Sequence, residues 1–369
     1  MKLVIKREPF EKALSAASAI VPVRHVRPIL KYVLLTSNAD GNIELQATDL
    51  EVGLRHKLVA ESVKDPQSLC LPCAIMAGLL RECTEEVITL ETDGAKGVLK
   101  VGRDRFDILG QESSDFPEIP ELGEGASFTI PGRELASMID RTLFSAAREQ
   151  GRFAINGVYF LYKEKTLEMV ATDGRRLAYC KKKLKSAGNL EEGVIVPVKM
   201  MVELRKLCEQ VGEDGELNLA VRGRSILAKG GDITLSSLLV EGIFPKFQQV
   251  IPKDCDKEAS VKRDALSGAL RKAIYLTSDE TRTVTLGFSA GTLQIESRSP
   301  DKGQASVTIE AEYGGEKLAI SFNPQYIQDC LKVLNTDTIK IEMKDPSRPG
   351  VIREGADYLY VLMPVSPKD

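Results

Sequence analysis

Asp173, Arg175 and Arg176 come closest to a reactive group of residues in this sequence. A carboxylate beside two guanidinium groups that bind an anion could act on a phosphorylated ligand. Asp173 is followed by Gly174 at the end of an alternating apolar stretch, however, and Asp-Gly in this position most often forms a turn. The tripeptide Ala-Thr-Asp that ends at Asp173 also occurs at 47–49, which favours a structural role. An enzyme that acts on a phosphorylated ligand stays an alternative to a binding protein.

Cysteine and histidine provide little material for a metal site. Only Cys70 and Cys73 have the spacing of metal ligands, and the second pair that a structural zinc site needs is missing from the sequence. His25 and His56, the two histidines, lie in polar stretches. The sequence also lacks G-x-x-x-x-G-K-[ST] and G-x-G-x-x-G, the glycine-rich loops that hold phosphates. We therefore predict no catalytic residue, no metal and no cofactor.

The composition predicts a soluble globular protein with more than one domain. The chain has 369 residues, of which 43% are hydrophobic and 28% charged, and a single hydrophobic core stops growing below this length. No apolar run approaches the roughly 20 residues of a membrane helix, and the first ten residues lack the form of a secretory signal. Seven cysteines, an odd number, indicate free thiols in a reducing compartment. We therefore expect a cytoplasmic protein without a membrane partner.

Six segments share one pattern, a short alternating apolar strand followed directly by an amphipathic helix. In five of them a proline stands at the junction, where its fixed φ and missing N–H suit the first helical turn. The junction residues are Pro9, Pro72, Pro131, Pro197, Lys262 and Pro324, spaced by 59 to 66 residues. A repeat of this length therefore runs through the whole chain.

Alternating strands joined by turn residues follow each helix, so the repeating unit is β-α-β-β-β. A longer similarity pairs these units, because Ala-Thr-Asp recurs after 124 residues and Phe-Pro after 128, each close to a third of the chain. Prolines, acids and glycines cluster at 116–125 and 250–254. We predict an α+β fold of three tandem domains, 1–122, 127–252 and 253–369, with two units in each.

The charge is unevenly distributed along the chain. The net charge is −3, but the six helical segments together carry +5 and the remainder −8. If the helices share one surface, that surface is mildly basic and attracts phosphate, although ordinary solvated helix faces are the alternative interpretation. Aromatic residues make up only 5% of the chain and tryptophan is absent, which disfavours stacking on single-stranded bases. Contact with a duplex backbone stays possible.

Several stretches, in matching order from end to end, resemble the bacterial DNA polymerase III beta subunit family, the replicative sliding clamps. They are Ala47-Thr48-Asp49, Asp115-Phe116-Pro117, 171–178 (ATDGRRLA), Phe244-Pro245, Val250-Ile251-Pro252 and 360–364 (YVLMP). The resemblance implies three tandem DNA-clamp domains and a head-to-tail homodimeric ring, with helices inside and sheets outside. Such a ring encircles double-stranded DNA without sequence preference and tethers the replicative polymerase. A clamp loader and other replication and repair proteins are its further implied partners.

The resemblance also implies three sets of functional residues. The DNA contacts are Arg24, Arg148, Arg152, Phe153, Lys199 and Lys206. The cleft that captures partner peptides is formed by Ile155, Thr172, Gly174, Arg175, Arg176, Leu177, Pro245, Val250, Asn323, Tyr326, Val361, Leu362, Met363, Pro364 and Val365. The dimer interface joins Arg103, Arg105, Phe106 and Ile108 of one chain to Ile274 and Leu276 of the other. A monomeric scaffold that binds peptides without forming a ring is a further alternative.

Overall fold

The computed structural model describes residues 1–121, 123, 127–148, 153–186, 190–212, 214–278 and 282–365. Over these residues, a strand, a helix and three strands follow one another six times. The first repeat contains β1 (Lys2–Lys6), α1 (Arg7–Ser18), β2 (Tyr32–Ser37), β3 (Asn42–Thr48) and β4 (Val52–Val59), with a short extra strand β5 (Ser62–Lys64). The second contains β6 (Ser68–Pro72), α2 (Cys73–Glu82), β7 (Val87–Asp93), β8 (Lys96–Val101) and β9 (Asp104–Leu109).

The four later repeats follow the same order. The third contains β10 (Ser127–Pro131), α3 (Gly132–Thr142), β11 (Gly157–Lys163), β12 (Thr166–Thr172) and β13 (Arg176–Lys183). The fourth contains β14 (Leu190–Pro197), α4 (Val198–Gln210), β15 (Glu216–Arg222), β16 (Ser225–Gly230) and β17 (Ile233–Leu238). The fifth contains β18 (Lys257–Lys262), α5 (Arg263–Ile274), β19 (Val284–Ser289), β20 (Thr292–Ser299) and β21 (Gly303–Glu310). The sixth contains β22 (Leu318–Phe322), α6 (Pro324–Leu331), β23 (Thr338–Met343), β24 (Gly350–Glu354) and β25 (Tyr358–Leu362). The predicted β-α-β-β-β repeat is confirmed.

The junction prolines occupy two kinds of position. Pro324 is the first residue of α6 and Pro9 lies in the first turn of α1, as predicted. Pro72, Pro131 and Pro197 are instead the last residues of their strands, immediately before the helix. Pro72 has φ −65° and Lys262, in the equivalent place, has φ −70°. The junction therefore requires the backbone angle that proline fixes, and other residues can adopt it as well.

The described residues form two compact units, each with two antiparallel sheets. The first unit takes Met1–Arg133, Ser186–Gly188 and Val202–Leu239. Its sheets have the strand orders β5-β1-β7-β8-β9 and β10-β15-β16-β17-β4-β3-β2-β6. In the larger sheet, β17 pairs with β4, so that Ser236 lies opposite Gly53. A Cβ at Gly53 would lie 2.6 Å from the Ile119 side chain and 2.7 Å from the Ser236 hydroxyl oxygen, so a larger residue here would force these side chains to move.

The second unit takes Glu134–Lys185, Asn189–Met201 and Val240–Asp369. Its sheets have the orders β14-β11-β12-β13-β25-β24-β23-β18 and β21-β20-β19-β22. The pairing of β13 with β25 places Leu177 opposite Val361. Each eight-stranded sheet thus combines strands from two of the predicted domains, which is how strand ends far apart in sequence come together at one site.

Apolar helix faces cover the sheets. In α1 the buried residues are Phe10, Ala13, Leu14 and Ala17, three or four positions apart as one helical face requires. The same spacing buries Leu266, Ala269, Leu270 and Ala273 in α5. No helix of the described chain is long and apolar enough to cross a membrane.

None of the seven cysteines, all of which lie in the described residues, forms a disulfide, and five of them are buried. Burial raises the pKa of Cys70 and of Cys180 to about 12, so these thiols stay protonated at neutral pH. Among the described residues, no three histidine, cysteine or acidic side chains lie close enough to hold a metal ion.

Candidate functional site

The turn between β12 and β13 builds one wall of an apolar cavity in the second unit. Asp173 Oδ1 accepts hydrogen bonds from the backbone N–H groups of Arg175 (2.9 Å) and Arg176 (3.0 Å). The Thr172 hydroxyl donates to the Arg176 carbonyl oxygen at 2.7 Å. Gly174 has φ +87°, a conformation that favours glycine. Ala-Thr-Asp-Gly therefore encodes a tight, self-bonded turn, which fixes where β13 and Leu177 begin.

The end of β25 and the segment after Phe244 build the other walls. Met363 leaves β25, and its backbone N–H donates to the Arg175 carbonyl oxygen at 2.9 Å, so that the chain end is tied to the turn. Phe247 is buried, and its ring lies 5.9 Å from Tyr179 and 6.2 Å from Tyr159 between ring centroids. Aromatic packing behind the cavity thus holds the segment in place.

The cavity has a volume of about 280 Å³ and a mostly apolar lining. Nine of the fifteen predicted cleft residues line it: Ile155, Thr172, Gly174, Arg176, Leu177, Pro245, Val250, Val361 and Met363. Val250 and Met363 are 48% and 41% exposed, whereas Leu177 and Val361 are buried at its base. Exposed apolar walls over a buried apolar floor suit the insertion of one or two apolar side chains.

Six predicted cleft residues lie outside this lining. Arg175 is exposed on the turn and Leu362 continues the sheet opposite Gly350. Asn323 caps α6 by accepting from the Gln325 N–H at 2.9 Å. The Val365 N–H donates to the Ser321 carbonyl oxygen at 2.8 Å. Tyr326 lies under the Arg176 guanidinium, and Pro364 follows Met363 half-buried at the chain end.

Two lining residues, Lys246 and Phe247, were missed by the sequence analysis. The spacing of Phe247 from Phe244 was an available signal, since two phenylalanines three residues apart can pack on one side of a turn. Nothing in the sequence pointed to Lys246. Its side chain forms no hydrogen bond or ion pair with the part of the chain that the structure describes.

Arg176 forms ion pairs within its own unit and is not available to bind an anionic ligand. Its guanidinium donates to Asp173 Oδ2 (3.0 Å), Asp329 Oδ2 (2.9 Å) and the Phe144 carbonyl oxygen (2.7 Å). It also lies 4.3 Å from the centroid of the Tyr326 ring. Two carboxylates neutralise its charge, so Arg176 has nothing left to offer the phosphorylated ligand of the enzyme hypothesis.

The predicted DNA contacts lie on helices and on the segments next to them. Arg24 is exposed in the segment after α1, and Arg148 is exposed after α3. Lys199 and Lys206 lie on α4, where Lys206 pairs with Glu203 at 2.9 Å. Phe153 begins a short 3-10 turn that ends at Ile155. Arg152 lies outside the described residues.

The predicted interface residues lie at one edge strand and at one helix end. Arg105, Phe106 and Ile108 belong to β9, the last strand in the five-stranded sheet, and Arg103 lies in the turn before it. Arg105 pairs with Asp107 of the same strand at 2.8 Å. Ile274 ends α5, and Leu276 follows it. Both side chains are half-buried.

Comparison with known proteins gives matches over the whole chain. Residues 1–120, 129–246 and 248–366 match the family models for the N-terminal, central and C-terminal domains of the DNA polymerase III beta subunit. The beta sliding clamp of Pseudomonas aeruginosa is 31% identical over 99% of this chain and 100% of its own length. The beta sliding clamp of Escherichia coli K12 is 30% identical with the same coverage. The crystal structure of the Pseudomonas aeruginosa DNA polymerase III subunit beta aligns with a TM-score of 0.94 and 31% identity, over 99% of this chain and 100% of that one.

Proposed function

The chain belongs to the DNA polymerase III beta subunit family, and on that premise we propose that it is a DNA sliding clamp, which encircles duplex DNA and gives the replicative polymerase its processivity. The observation that carries this proposal is the match of three clamp domains along the whole chain, in the order of the family. As an accessory subunit the protein tethers a polymerase and catalyses no step itself. Replication takes place in the cytoplasm of a bacterial cell, where we place the protein.

We propose a ring of two chains with six clamp domains, bounded in each chain at 1–122, 127–252 and 253–369. The helices line the hole and the sheets form the outer wall. The excess of +5 on the helical segments against −8 elsewhere then faces the DNA phosphates. Such contacts are weak and independent of sequence. Closure of the ring, rather than affinity, keeps the clamp on DNA while it slides.

The DNA contacts that we propose are Arg24, Arg148, Arg152, Phe153, Lys199 and Lys206. Arg24 has the strongest support among them, because it is exposed and has no side-chain partner in the described residues. Lys206 already pairs with Glu203. A phosphate must compete with that carboxylate, which suits a contact that forms and breaks as the ring slides.

The apolar cavity is proposed as the cleft for partner peptides. The polymerase subunit, the clamp loader and other replication and repair proteins would each insert apolar side chains of a short linear motif between Leu177, Val250 and Met363. Its volume of about 280 Å³ suits a few anchoring side chains, and a small apolar anchor site is the usual form of motif recognition. The six predicted cleft residues outside the cavity would contact the rest of the motif.

The ring closes, we propose, through Arg103, Arg105, Phe106 and Ile108 of one chain and Ile274 and Leu276 of the other. β9 and β21 are the last strands of their sheets. Within the described part of the chain, each therefore presents backbone N–H and C=O groups along one edge that no further strand of its sheet pairs with. Pairing of β9 with β21 of a second chain would satisfy these groups and join the first domain of one chain to the third domain of the other.

Retention on circular and linear DNA tests the proposal. Clamp loaded by the ATP-dependent loader should stay on a nicked circular plasmid through gel filtration and be lost once the plasmid is cut, because only a closed ring depends on DNA topology. Arg24→Ala should reduce loading and lower the salt slope of binding by about one. Arg298→Ala is the matched control, since Arg298 is also exposed but lies on a strand, β20. Equal retention on both DNA forms would contradict the ring.

A further inference from the structure

A second cavity adjoins the apolar one and differs from it in chemistry. It has a volume of about 700 Å³ and is lined by 248–254 and by residues of the segment between β23 and β24. Val250 and Met363 line both cavities. A peptide anchored in the apolar cavity therefore has the second cavity directly beside it, across the side chains of these two residues.

Three cations and one acid, Asp254, line this second cavity. Lys253 and Arg348 are exposed, and their side chains form no hydrogen bond or ion pair with any described residue. Lys344 also lines the cavity but pairs with Asp254. The hydrogen bond from Lys344 holds the pKa of the Asp254 carboxyl below its usual value. The charge of Arg348 lowers the pKa of Asp254 as well, so one acid faces three cations and the lining keeps a net positive charge.

The loop that carries Arg348 is fixed without using its guanidinium. Asp345 Oδ1 accepts from the Ser347 N–H at 2.8 Å and from the Ser347 hydroxyl at 2.6 Å, and the Arg348 N–H donates to the Asp345 carbonyl oxygen at 3.3 Å. Asp345 is the one acid of this loop, and the hydrogen bonds from Ser347, together with the charge of Arg348, hold the pKa of its carboxyl below its usual value. The backbone is held in a turn while the Arg348 side chain stays available to a ligand.

We propose that this cationic cavity, defined by Lys253, Lys344 and Arg348, binds acidic residues that flank the apolar anchor of a partner peptide. The inference rests on the proposed peptide cleft, and it specifies in addition that the partner peptide is acidic beside its apolar anchor. Nucleic acid phosphates would also satisfy the cations. An acidic peptide is favoured because the cavity shares Val250 and Met363 with an apolar site that a phosphate backbone cannot fill.

Paired peptides test the proposal on the full-length protein. Two fluorescent peptides carry a Leu-Phe anchor and two glutamates, which precede the anchor in one peptide and follow it in the other. Each has a matched peptide in which glutamines replace the glutamates. In 50 mM salt the better glutamate peptide should bind roughly tenfold more tightly, since two exposed ion pairs each contribute modestly. That preference should disappear in 0.5 M salt and in the variant Lys253→Gln/Arg348→Gln. Lys317→Gln/Arg298→Gln removes two exposed charges of the same unit elsewhere and should leave the preference intact.

Reversing the charge of the cavity distinguishes specific binding of acidic residues from nonspecific attraction between protein and peptide. The variant Lys253→Glu/Arg348→Glu should prefer a peptide with two flanking lysines over the glutamate peptide. If the natural protein binds the glutamate and glutamine peptides equally and Leu177→Ala binds neither, the proposed role of the cationic cavity is wrong, whereas the proposed peptide cleft is supported. Failure of every peptide to bind would overturn the proposed cleft itself. A competition experiment tests nucleic acid as the ligand. If a short single-stranded oligonucleotide displaces the glutamate peptide at a lower concentration than the unlabelled peptide does, the cavity binds nucleic acid instead.

Discussion

Arg176 and Asp329 are joined by a 2.9 Å hydrogen bond, from Nη1 to Oδ2, although 153 positions separate them in the sequence. Arg176 begins β13 and Asp329 lies in α6, so the bond ties the strand that forms the cavity wall to a helix of the sixth repeat. Both side chains are largely buried, at 12% and 20% exposure. This arrangement makes Arg176 a structural part of the cleft.

Replacement of Arg176 should destabilise the second unit strongly. Arg176→Ala leaves Asp173 without its cation and Asp329 with only the exposed Lys332 at 3.2 Å. Removal of one partner from a buried pair costs about 3–5 kcal/mol. Eight of the nine tyrosines lie in this unit and the chain has no tryptophan, so tyrosine fluorescence in urea follows its unfolding. Lys340→Ala, which removes an exposed ion pair with Glu258 in the same unit, should cost less than about 1 kcal/mol. Equal effects of the two substitutions would contradict the structural role.

Acid should weaken the same unit through Asp329 and Glu354. Burial alone raises the pKa of each carboxyl, but hydrogen bonds from Arg176 to Asp329, and from the Asn335 and Thr336 N–H groups to Glu354, hold both below their ordinary values of 3.8 and 4.5. Because the folded state holds these protons less tightly than the unfolded state, the stabilisation is complete above those ordinary values. It is lost as the pH falls through the lowered values.

Urea midpoints from pH 7 to pH 3, followed by tyrosine fluorescence, measure this loss. We expect a plateau down to about pH 5 and a steep fall below it. Asp329→Asn should start from a lower plateau and show a shallower fall. A midpoint that stays constant to pH 3 would mean that the two carboxylates contribute nothing.

The sequence predicted the six repeats, but it did not predict which strands of different repeats pair with one another. Proline at five of the six strand-to-helix junctions and the alternating strands are local signals, so the order of elements in all six repeats followed from them. The pairing of β17 with β4 and of β13 with β25 has no such signal, because edge strands with similar alternation could pair in several ways. The burial of Arg176 and the position of Lys246 depend on those pairings, and for that reason they could not be predicted from residue types.

Met363 should contribute to peptide capture at little cost in stability. Its side chain is 41% exposed on the cavity wall, so Met363→Ala removes apolar contact with a bound peptide while it leaves the core unchanged. We expect about tenfold weaker binding of a Leu-Phe peptide and a urea midpoint within error of the natural protein. Ile243 is 91% exposed and does not line the cavity. Ile243→Ala is therefore the control, and weakened binding in that variant would point to a nonspecific apolar surface.

Salt should affect the proposed dimer only slightly. Arg105 donates to Asp107 of its own strand through Nη2 (2.8 Å) and Nε (3.3 Å), and this hydrogen bond raises the pKa of the Arg105 guanidinium. An arginine already paired within its strand has little charge to offer a second chain. Arg103, exposed in the turn before β9, is then the one proposed interface arginine that can form an ion pair between chains, and such an exposed pair contributes little. Strand pairing between β9 and β21 and apolar contact at Ile274 and Leu276 must then supply most of the dimer stability, and salt screens neither of them.

Sedimentation velocity at 50 mM and 500 mM salt measures the dissociation constant of the dimer directly. We expect a change of less than about threefold between the two conditions, because exposed ion pairs contribute so little. Ile274→Ala/Leu276→Ala should shift the protein towards monomer at both salt concentrations, since it removes apolar contact. Asp107→Asn frees Arg105 and is the informative control, because any new salt dependence in this variant shows that Asp107 normally masks the charge. A tenfold weakening of the natural dimer by salt would instead show that ion pairs between chains hold the ring closed.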